Sequence, residues 1–199
     1  LYNSTVDFQK SMEKLASGLR INRAADDAAG LAISEGLKSD IRALDQASRN
    51  AADGISLVQV AEGALDEVSN ILGRMRELAE QAATDTLGED ERDYLDQEYQ
   101  ELLQEIDRIS ATAEFNGLTL LDGAMVNPLN VQVGIGTDVA TSAVSIDLTD
   151  ATDTTTLALV GTSLAGPDGA NARDLIDDIE DATGTVSETR AAFGAAQNR

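Results

Sequence analysis

The stretch LASGLRINRAADDAAGLAIS, residues 15–34, contains a break between two helices, and the rest of the chain is organised around it. Residues 4–16 predict a short amphipathic helix. Gly18 ends this helix, because glycine adopts the left-handed C-cap conformation at little steric cost. Asp26 or Asp27 then supplies the N-cap oxygen of the next helix. The apolar members of the first helix are Val6, Phe8, Met12 and Leu15.

The next helix is predicted to run from about Ala28 to Ala83 without a proline. At 1.5 Å per residue it would be about 80 Å long. A rod of this length cannot bury an apolar stripe alone and needs long partner helices. The stripe recurs every three or four residues: Ile41, Leu44, Ala47, Ala51, Ile55, Val58, Ala61, Leu65, Val68, Leu72, Met75 and Leu78.

Two later segments have the spacing of partner helices. Residues 90–113 follow a turn at 84–88 and repeat apolar residues in a heptad seam. The carboxyl-terminal segment repeats apolar residues with the same heptad spacing. We therefore predict a mainly α protein with a small β part, an elongated antiparallel helical rod made of a long helix, a second helix and a carboxyl-side helix. The two seams are Leu95, Tyr99, Leu102, Ile106, Ile109, Ala113 and Leu175, Ile179, Ala182, Val186, Thr189, Phe193, Ala196.

The segment between these helices has a different composition, without Lys or Arg from Ile109 to Ala172. Apolar residues alternate on either side of the turn Gly136-Thr137-Asp138, which predicts a β-hairpin. A third short strand is expected near residues 155–160. Asn116-Gly117 and Pro167-Asp168-Gly169 are turn signals that flank this insert. The alternating residues are Leu129, Val131, Val133, Ile135 and then Val144, Ile146, Leu148.

The composition excludes several classes of function. The chain has no Cys, His or Trp, which excludes disulfides, thiol catalysis and imidazole acid–base chemistry. Fourteen basic against 36 acidic residues give a formal charge of −22. Nucleic acid and an anionic membrane are poor partners for such a surface. The charge also opposes self-association at low salt.

No catalytic or metal constellation stands out. Asp147, Asp150 and Asp153 do not follow the ligand spacing of a calcium loop, and we interpret them as solvated residues that protect a strand edge. The acidic run at residues 89–91 fits a helix start, where the macrodipole favours negative charge. Neither a Gly-rich phosphate loop nor a nucleophile with an adjacent base is present. We predict no enzyme activity and no cofactor.

The ends of the chain also carry predictions. No apolar run reaches the roughly 20 residues of a membrane span, and no cleaved signal peptide is visible. The chain starts without Met and ends on Asn198-Arg199 within a helical pattern. We therefore interpret the chain as a trimmed fragment.

Several long motifs resemble the bacterial flagellins. The amino-terminal conserved region of that family is similar to the opening stretch and to QASRNAADGIS, AEGALDEV, RMRELAEQAA and EIDRISATAEFNGLTLLDG. LNVQVGIGTD resembles the β-hairpin that follows it in the family, and residues 185–199, ending FGAAQNR, resemble the start of the carboxyl-terminal conserved region.

This resemblance implies a structural subunit of the flagellar filament that is secreted unfolded and self-assembles outside the cell. In the family, paired terminal helices line the filament interior; the resemblance implies that the amino-terminal one is shortened before Leu1 and the carboxyl-terminal one is absent after Arg199. We therefore expect this fragment to be monomeric and not to polymerise. Its implied partners are other flagellin subunits and the export chaperone and cap proteins. It also implies a division into two parts: an amino-terminal helix and linker at 1–39 and a core rod at 40–199. The core rod contains a hairpin insert at 115–167 and a carboxyl-side helix at 170–199. The assembly or linker motif would be Gly18, Leu19, Arg20, Ile21, Asn22, Asp26 and Asp27.

Flagellins are also ligands of Toll-like receptor 5, and the resemblance carries that pattern onto Arg74, Leu78 and Glu98. The positions Gly73, Met75 and Glu80 depart from the pattern of well-known members, which predicts weakened recognition. From the residues alone, Arg74, Arg76 and Glu77 are ordinary ion-pairing side chains beside the apolar stripe.

Two alternatives remain beside the filament subunit. One is a hook–filament junction protein, which belongs to the same assembly. The other is a helical adhesion or receptor-binding module, which would share the rod shape and the acidic surface but would stay monomeric.

Overall fold

The structure is a computed structural model that describes residues 2–125, 127–148 and 152–199, with side chains described from Phe8 onward. Its helices are α1 Tyr2–Ser17, α2 Ala28–Ala82, α3 Glu89–Thr112, α4 Val139–Ser142 and α5 Ala170–Gln197. Its strands are β1 Glu114–Phe115, β2 Leu118–Thr119, β3 Leu129–Gln132 and β4 Ala143–Ile146. The predicted mainly α fold with a small β part is confirmed.

The break between α1 and α2 forms as its residues predict. Gly18 has a φ of 70° and donates its N–H to the Lys14 carbonyl over 3.0 Å, which closes α1. Asp27 is the N-cap of α2, and its Oδ1 accepts from the Gly30 N–H at 2.9 Å. α2 then continues without interruption for 55 residues.

The carboxyl-terminal part of α2 packs against α3 and α5, and both of these helices run antiparallel to it. Arg173, near the start of α5, pairs with Asp85 just beyond the end of α2 at 2.7 Å. Arg190, near the end of α5, pairs with Asp66 in the middle of α2 at 3.1 Å. The two pairs fix the direction of α5 along α2.

One hydrophobic core lies between these helices and the chain that follows α3. α2 contributes buried side chains from Leu57 to Ala82. α3 and α5 contribute their heptad seams, with Tyr99, Ile106, Ile179 and Phe193 almost fully buried. The rest of the core comes from the loops and strands: Leu120, Leu121, Ile146, Leu148, Leu157, Leu159 and Leu164.

Two antiparallel hairpins follow α3. β1 and β2 are joined by Asn116 and Gly117, whose φ values of 52° and 78° are those of a two-residue turn. The sequence marked this site only as a turn, so the small ladder around it was missed. β3 and β4 form the predicted hairpin, with Leu129 opposite Ile146 and Val131 opposite Val144.

The predicted third strand near residues 155–160 was wrong. The backbone there closes on itself in turns, with Leu157 N donating to Asp153 O at 3.0 Å and Leu159 N to Thr154 O at 2.9 Å. Leu157 and Leu159 are buried, but no strand of the described residues lies alongside the segment to pair with it. Carboxylates on α3 hold the segment instead: Asp107 accepts from Thr154 and Asp96 accepts from Leu164 N.

Candidate functional site

The first candidate surface lies where α2 and α3 meet, around Arg74. Its Nε donates to Glu98 Oε1 at 2.9 Å across the two helices, and its Nη1 donates to Glu77 at 2.9 Å along α2. These two hydrogen bonds, with Glu77 the stronger influence, raise the pKa of Arg74. The side chains of Arg74 and Glu98 are about half exposed, so this ion pair forms a fixed charged feature of the surface.

The third residue of the receptor pattern is placed differently. Leu78 lies one turn beyond Arg74 on α2 and is fully buried in the core. The structure therefore brings Arg74 and Glu98 together on the surface, while Leu78 supports the packing inside the bundle. The apolar periodicity of α2 had already included Leu78 in the predicted stripe.

The three departing positions have separate environments. Gly73 is exposed, and a Cβ added there would meet nothing within 4 Å. Met75 is fully buried. Glu80 pairs with Arg76 at 3.4 Å, and Arg76 also reaches Glu180 on α5 at 3.6 Å. Hence Gly73 and Glu80 alter the exposed surface, whereas Met75 belongs to the core.

The second candidate surface is the corner between α1 and α2, which contains the predicted assembly motif. Asn22 Nδ2 donates to the Glu13 carbonyl at 3.1 Å, and Arg23 pairs with the Glu13 carboxylate at 2.9 Å. Asp26 Oδ2 accepts from the N–H groups of Asn22 and Arg23, and these two bonds lower the pKa of Asp26. The corner is thus tied to α1 by side chains of the break itself.

Apolar side chains near this corner are exposed rather than packed. On α1 and the break they are Phe8, Met12, Leu15 and Leu19. On the first half of α2 they are Ile33, Leu37, Ile41 and Leu44, between 50% and 65% exposed. An apolar face this long is unusual on a folded monomer and is typical of a surface that another element covers.

One buried charge was missed by the sequence analysis. Arg92 on α3 is 1% exposed, and its guanidinium donates to the carbonyls of Ala82 at 2.9 Å, Thr84 at 3.0 Å and Pro167 at 3.4 Å. It satisfies carbonyls at the end of α2 that the helix itself leaves unpaired. Its position was the available signal, because it lies seven residues before Tyr99 and so on the apolar seam.

Two of the acidic residues considered for chemistry accept hydrogen bonds within the fold. Glu91 accepts from the Gly88 N–H at 3.0 Å at the start of α3, as predicted for residues 89–91. Asp153 caps a turn by accepting from Thr156 N at 2.8 Å, and Asp150 lies outside the described residues. Within the part of the chain that is described, no cluster of three carboxylates is placed to hold a metal ion. No described helix is both long and apolar enough to span a membrane.

Comparison with known proteins gives a consistent result. The family described as "Bacterial flagellin N-terminal helical region" matches residues 1–125. A flagellin of Halalkalibacterium halodurans is 50% identical over 194 residues, which cover 96% of this chain and 68% of the relative. The "flagellar filament 33 kDa core protein" of Treponema phagedenis is 41% identical over 216 residues, with 100% and 73% covered. The crystal structure of Bacillus cereus flagellin has a TM-score of 0.64 at 34% identity, covering 76% of this chain and 84% of that one.

Proposed function

Because the chain belongs to the bacterial flagellin family, we propose that the corner between α1 and α2 is the element through which it assembles. Flagellins are structural proteins rather than enzymes, and this chain is a subunit of the extracellular flagellar filament, which it forms with other flagellin subunits. The proposed element is Gly18, Leu19, Arg20, Ile21, Asn22, Asp26 and Asp27.

The observation that carries this proposal is the combination of a fixed backbone and an exposed apolar surface. Side chains of the break hold its backbone against α1 through Asn22, Arg23 and Asp26. Leu19 remains 54% exposed within it, beside the exposed apolar residues of both helices. A corner of defined angle that presents apolar area is suited to a contact between subunits, because the area is already ordered before it is buried.

The test is assembly of the complete protein with Asn22→Ala and Asp26→Ala combined. This variant loses the acceptor for two N–H groups and the bond to Glu13, so the angle of the corner is released while the core is untouched. We expect fewer or differently curved filaments by electron microscopy and a larger soluble fraction in sedimentation. Asp40→Ala, at an exposed position on α2, is the control. Filaments of unchanged yield and shape would remove the corner from the assembly contact.

We propose a second role as a ligand of Toll-like receptor 5, with Arg74 and Glu98 at the contact. Supporting this role, their ion pair is preformed at 2.8 Å and half exposed, so a partner would meet an ordered guanidinium rather than a free side chain. Arginine is a common contributor of binding energy at interfaces. Leu78 takes part in this proposal through its packing in α2, since its side chain is buried.

The test of this role is receptor activation by purified monomer in reporter cells. Arg74→Ala should raise the concentration for half-maximal signal about tenfold, the loss expected for a moderate interface residue. Arg108→Ala is the matched control, because Arg108 is an exposed arginine paired with Glu105 within α3. Leu78→Ala is avoided, since it would disturb the core. Equal responses of the two arginine variants would contradict the role.

The remaining parts of the assignment are proposals of the same kind. We propose that the protein is secreted unfolded and that export chaperone and cap proteins are its partners during export and assembly, as the resemblance to flagellins suggests. We also propose the division into an amino-terminal helix and linker at 1–39 and a core rod at 40–199, with its insert at 115–167 and carboxyl-side helix at 170–199.

A further inference from the structure

Charge is distributed unevenly along this chain. The first 50 residues contain as many basic as acidic residues, so the formal charge of −22 belongs to residues 51–199. Nearly all arginines of that part are engaged inside the subunit: Arg74, Arg76, Arg92, Arg108, Arg173 and Arg190. The helical bundle therefore presents many carboxylates that its own cations do not reach.

One helical face of the bundle combines such carboxylates with an exposed aromatic ring. Asp90, Tyr94, Gln97 and Glu101 recur at the spacing of a single face of α3, and all four are exposed. Tyr94 is 74% exposed, on the side of the helix away from the seam of Leu95 and Tyr99. We name these four residues the tyrosine stripe.

The tyrosine stripe is unoccupied by its own subunit. Among the described residues, the side chains of Asp90, Tyr94 and Glu101 take part in no hydrogen bond or ion pair. An aromatic ring with carboxylates one turn before it and two turns after it favours a cation, because the face of the ring and both charges attract it. The stripe therefore fits a lysine or arginine side chain of a partner.

The corner between α1 and α2 carries cations of this description. Lys10, Lys14 and Arg20 are exposed and form no ion pair within the described part of the chain. The carboxylate of Glu13 is taken by Arg23, and Asp26 accepts from backbone N–H groups, while Lys10 and Lys14 act on Asp26 only through longer-range attraction. We name Lys10, Lys14 and Arg20 the corner cations.

The corner cations cannot reach the tyrosine stripe of the same subunit. The corner precedes α2 and the stripe begins shortly after α2 ends, with 55 residues of uninterrupted helix between them. That helix is about 80 Å long, and α3 returns along it by only about 10 Å before Tyr94. A contact between the two surfaces therefore joins two different copies of the chain.

We propose that the corner cations of one subunit dock on the tyrosine stripe of the next subunit, with Arg20 against Tyr94 and Asp90. The inference rests on the proposed assembly role and names the surface that the corner meets. The contact joins opposite ends of two rods, so it is heterologous, and repetition extends it along one direction. It also offsets repulsion between acidic bundles where they meet.

The experiment measures elongation of filaments from purified monomers of the complete protein on unmodified seeds, at 50 mM and 500 mM salt. Arg20→Glu should slow elongation about tenfold at low salt and less at high salt, because like charges then face each other and salt screens them. Tyr94→Ala should slow it about threefold through loss of the ring. Lys38→Glu is the control, since Lys38 is an exposed cation already paired with Glu35.

The decisive variant combines Arg20→Glu with Asp90→Arg, which exchanges the two charges. We expect it to recover elongation to within about threefold of the unmodified protein, as an energetic coupling between contacting residues requires. Circular dichroism melting of each monomer checks that the fold is retained. Asp90→Arg alone is measured beside Arg20→Glu as the second single variant. If the losses of these two variants multiply in the double variant, or if Arg20→Glu behaves as Lys38→Glu does, the proposed contact is refuted. Failure of the unmodified protein to form filaments would instead refute the proposed function itself.

Discussion

The two halves of α2 have the same apolar periodicity but opposite environments. In the amino-terminal half, Ile41 and Leu44 are 58% and 50% exposed. In the carboxyl-terminal half, Leu65 and Leu72 on the continuing stripe are fully buried. The helix is continuous between them, so the difference does not come from local structure.

The difference comes from the lengths of the partner helices. α3 has 24 residues and α5 has 28, against 55 in α2. At 1.5 Å per residue these are lengths of about 36, 42 and 80 Å, so the partners cover about half of α2. A periodic stripe thus shows which face of a helix is apolar, whereas the neighbours decide how much of that face the subunit itself buries.

The strongest test of this comparison is a pair of alanine substitutions, one in each half of α2. Leu72→Ala should lower the free energy of unfolding by about 3 kcal/mol, because it removes buried methyl groups and leaves a cavity. Ile41→Ala should lower it by less than about 0.5 kcal/mol, because the side chain is already in contact with solvent. Urea unfolding of both variants, followed by circular dichroism, measures the two losses.

Leu65→Ala is the control for the buried half and should resemble Leu72→Ala, since both side chains are fully buried. A loss at Ile41 comparable with that at Leu72 would show that the amino-terminal half of α2 is covered in the isolated chain, and the comparison of the two halves would then fail.

A smaller effect on stability is expected from raising the pH. It arises in the bundle that covers the carboxyl-terminal half of α2. Burial raises the pKa of Tyr99 from its ordinary value of 10.0 to about 12. The neutral phenol is therefore favoured in the folded protein, so its contribution is present below pH 10 and is lost as the pH rises from 10 to 12. The loss amounts to about 2.7 kcal/mol. Urea unfolding at a series of alkaline pH values measures it.

Tyr99→Phe separates this loss from other alkaline effects. The variant gives up the hydrogen bond to Thr162, worth about 1 kcal/mol, but its stability should fall less steeply with pH than that of the unmodified protein. Tyr94→Phe is the matched control and should keep the original slope, because its ring is exposed in the folded chain. Equal slopes for all three proteins would mean that Tyr99 does not titrate with unfolding.

Much of this architecture follows from spacing in the sequence. The seam of α5 was predicted from its spacing, and five of its seven members are buried while Thr189 and Ala196 are half-buried. The buried members are Leu175, Ile179, Ala182, Val186 and Phe193. The helix break was predictable because Gly18 and Asp27 have local roles that need no distant partner. Features that depend on distant partners were harder to predict. Arg92 lies on the apolar seam of α3, but carbonyls 8, 10 and 75 residues away accept its hydrogen bonds, and no local pattern indicates those acceptors.

The candidate surfaces were hard to predict for the same reason, because they too depend on residues that are distant in the sequence. Arg74 and Glu98 are 24 residues apart, and only the resemblance to flagellins placed them in one group before the structure showed their contact. The prediction of a strand at residues 155–160 was wrong for a related reason. Its alternating residues Leu157 and Leu159 are buried, but a strand also needs a neighbour with free N–H and carbonyl groups, and the nearest acceptors are side chains of α3.

The smallest predicted effect belongs to the exposed half of α2 and comes from its N-cap. Asp27→Ala removes the acceptor for the Gly30 N–H, a loss of about 1 kcal/mol for the first turns of the helix. Because no described helix buries the side chains of residues 28–46, that energy controls local opening rather than unfolding of the core. Amides at residues 31–40 should exchange hydrogen about fivefold faster, while those at 65–78 keep their rates and the urea midpoint stays unchanged.

Asp26→Ala is the control for this prediction. Asp26 accepts hydrogen bonds from the break rather than from α2, so the variant should leave hydrogen exchange at 31–40 nearly unaltered. A shift of the urea midpoint by Asp27→Ala would show that the two halves of α2 unfold as one unit, so that burial differs along the helix while its cooperativity does not.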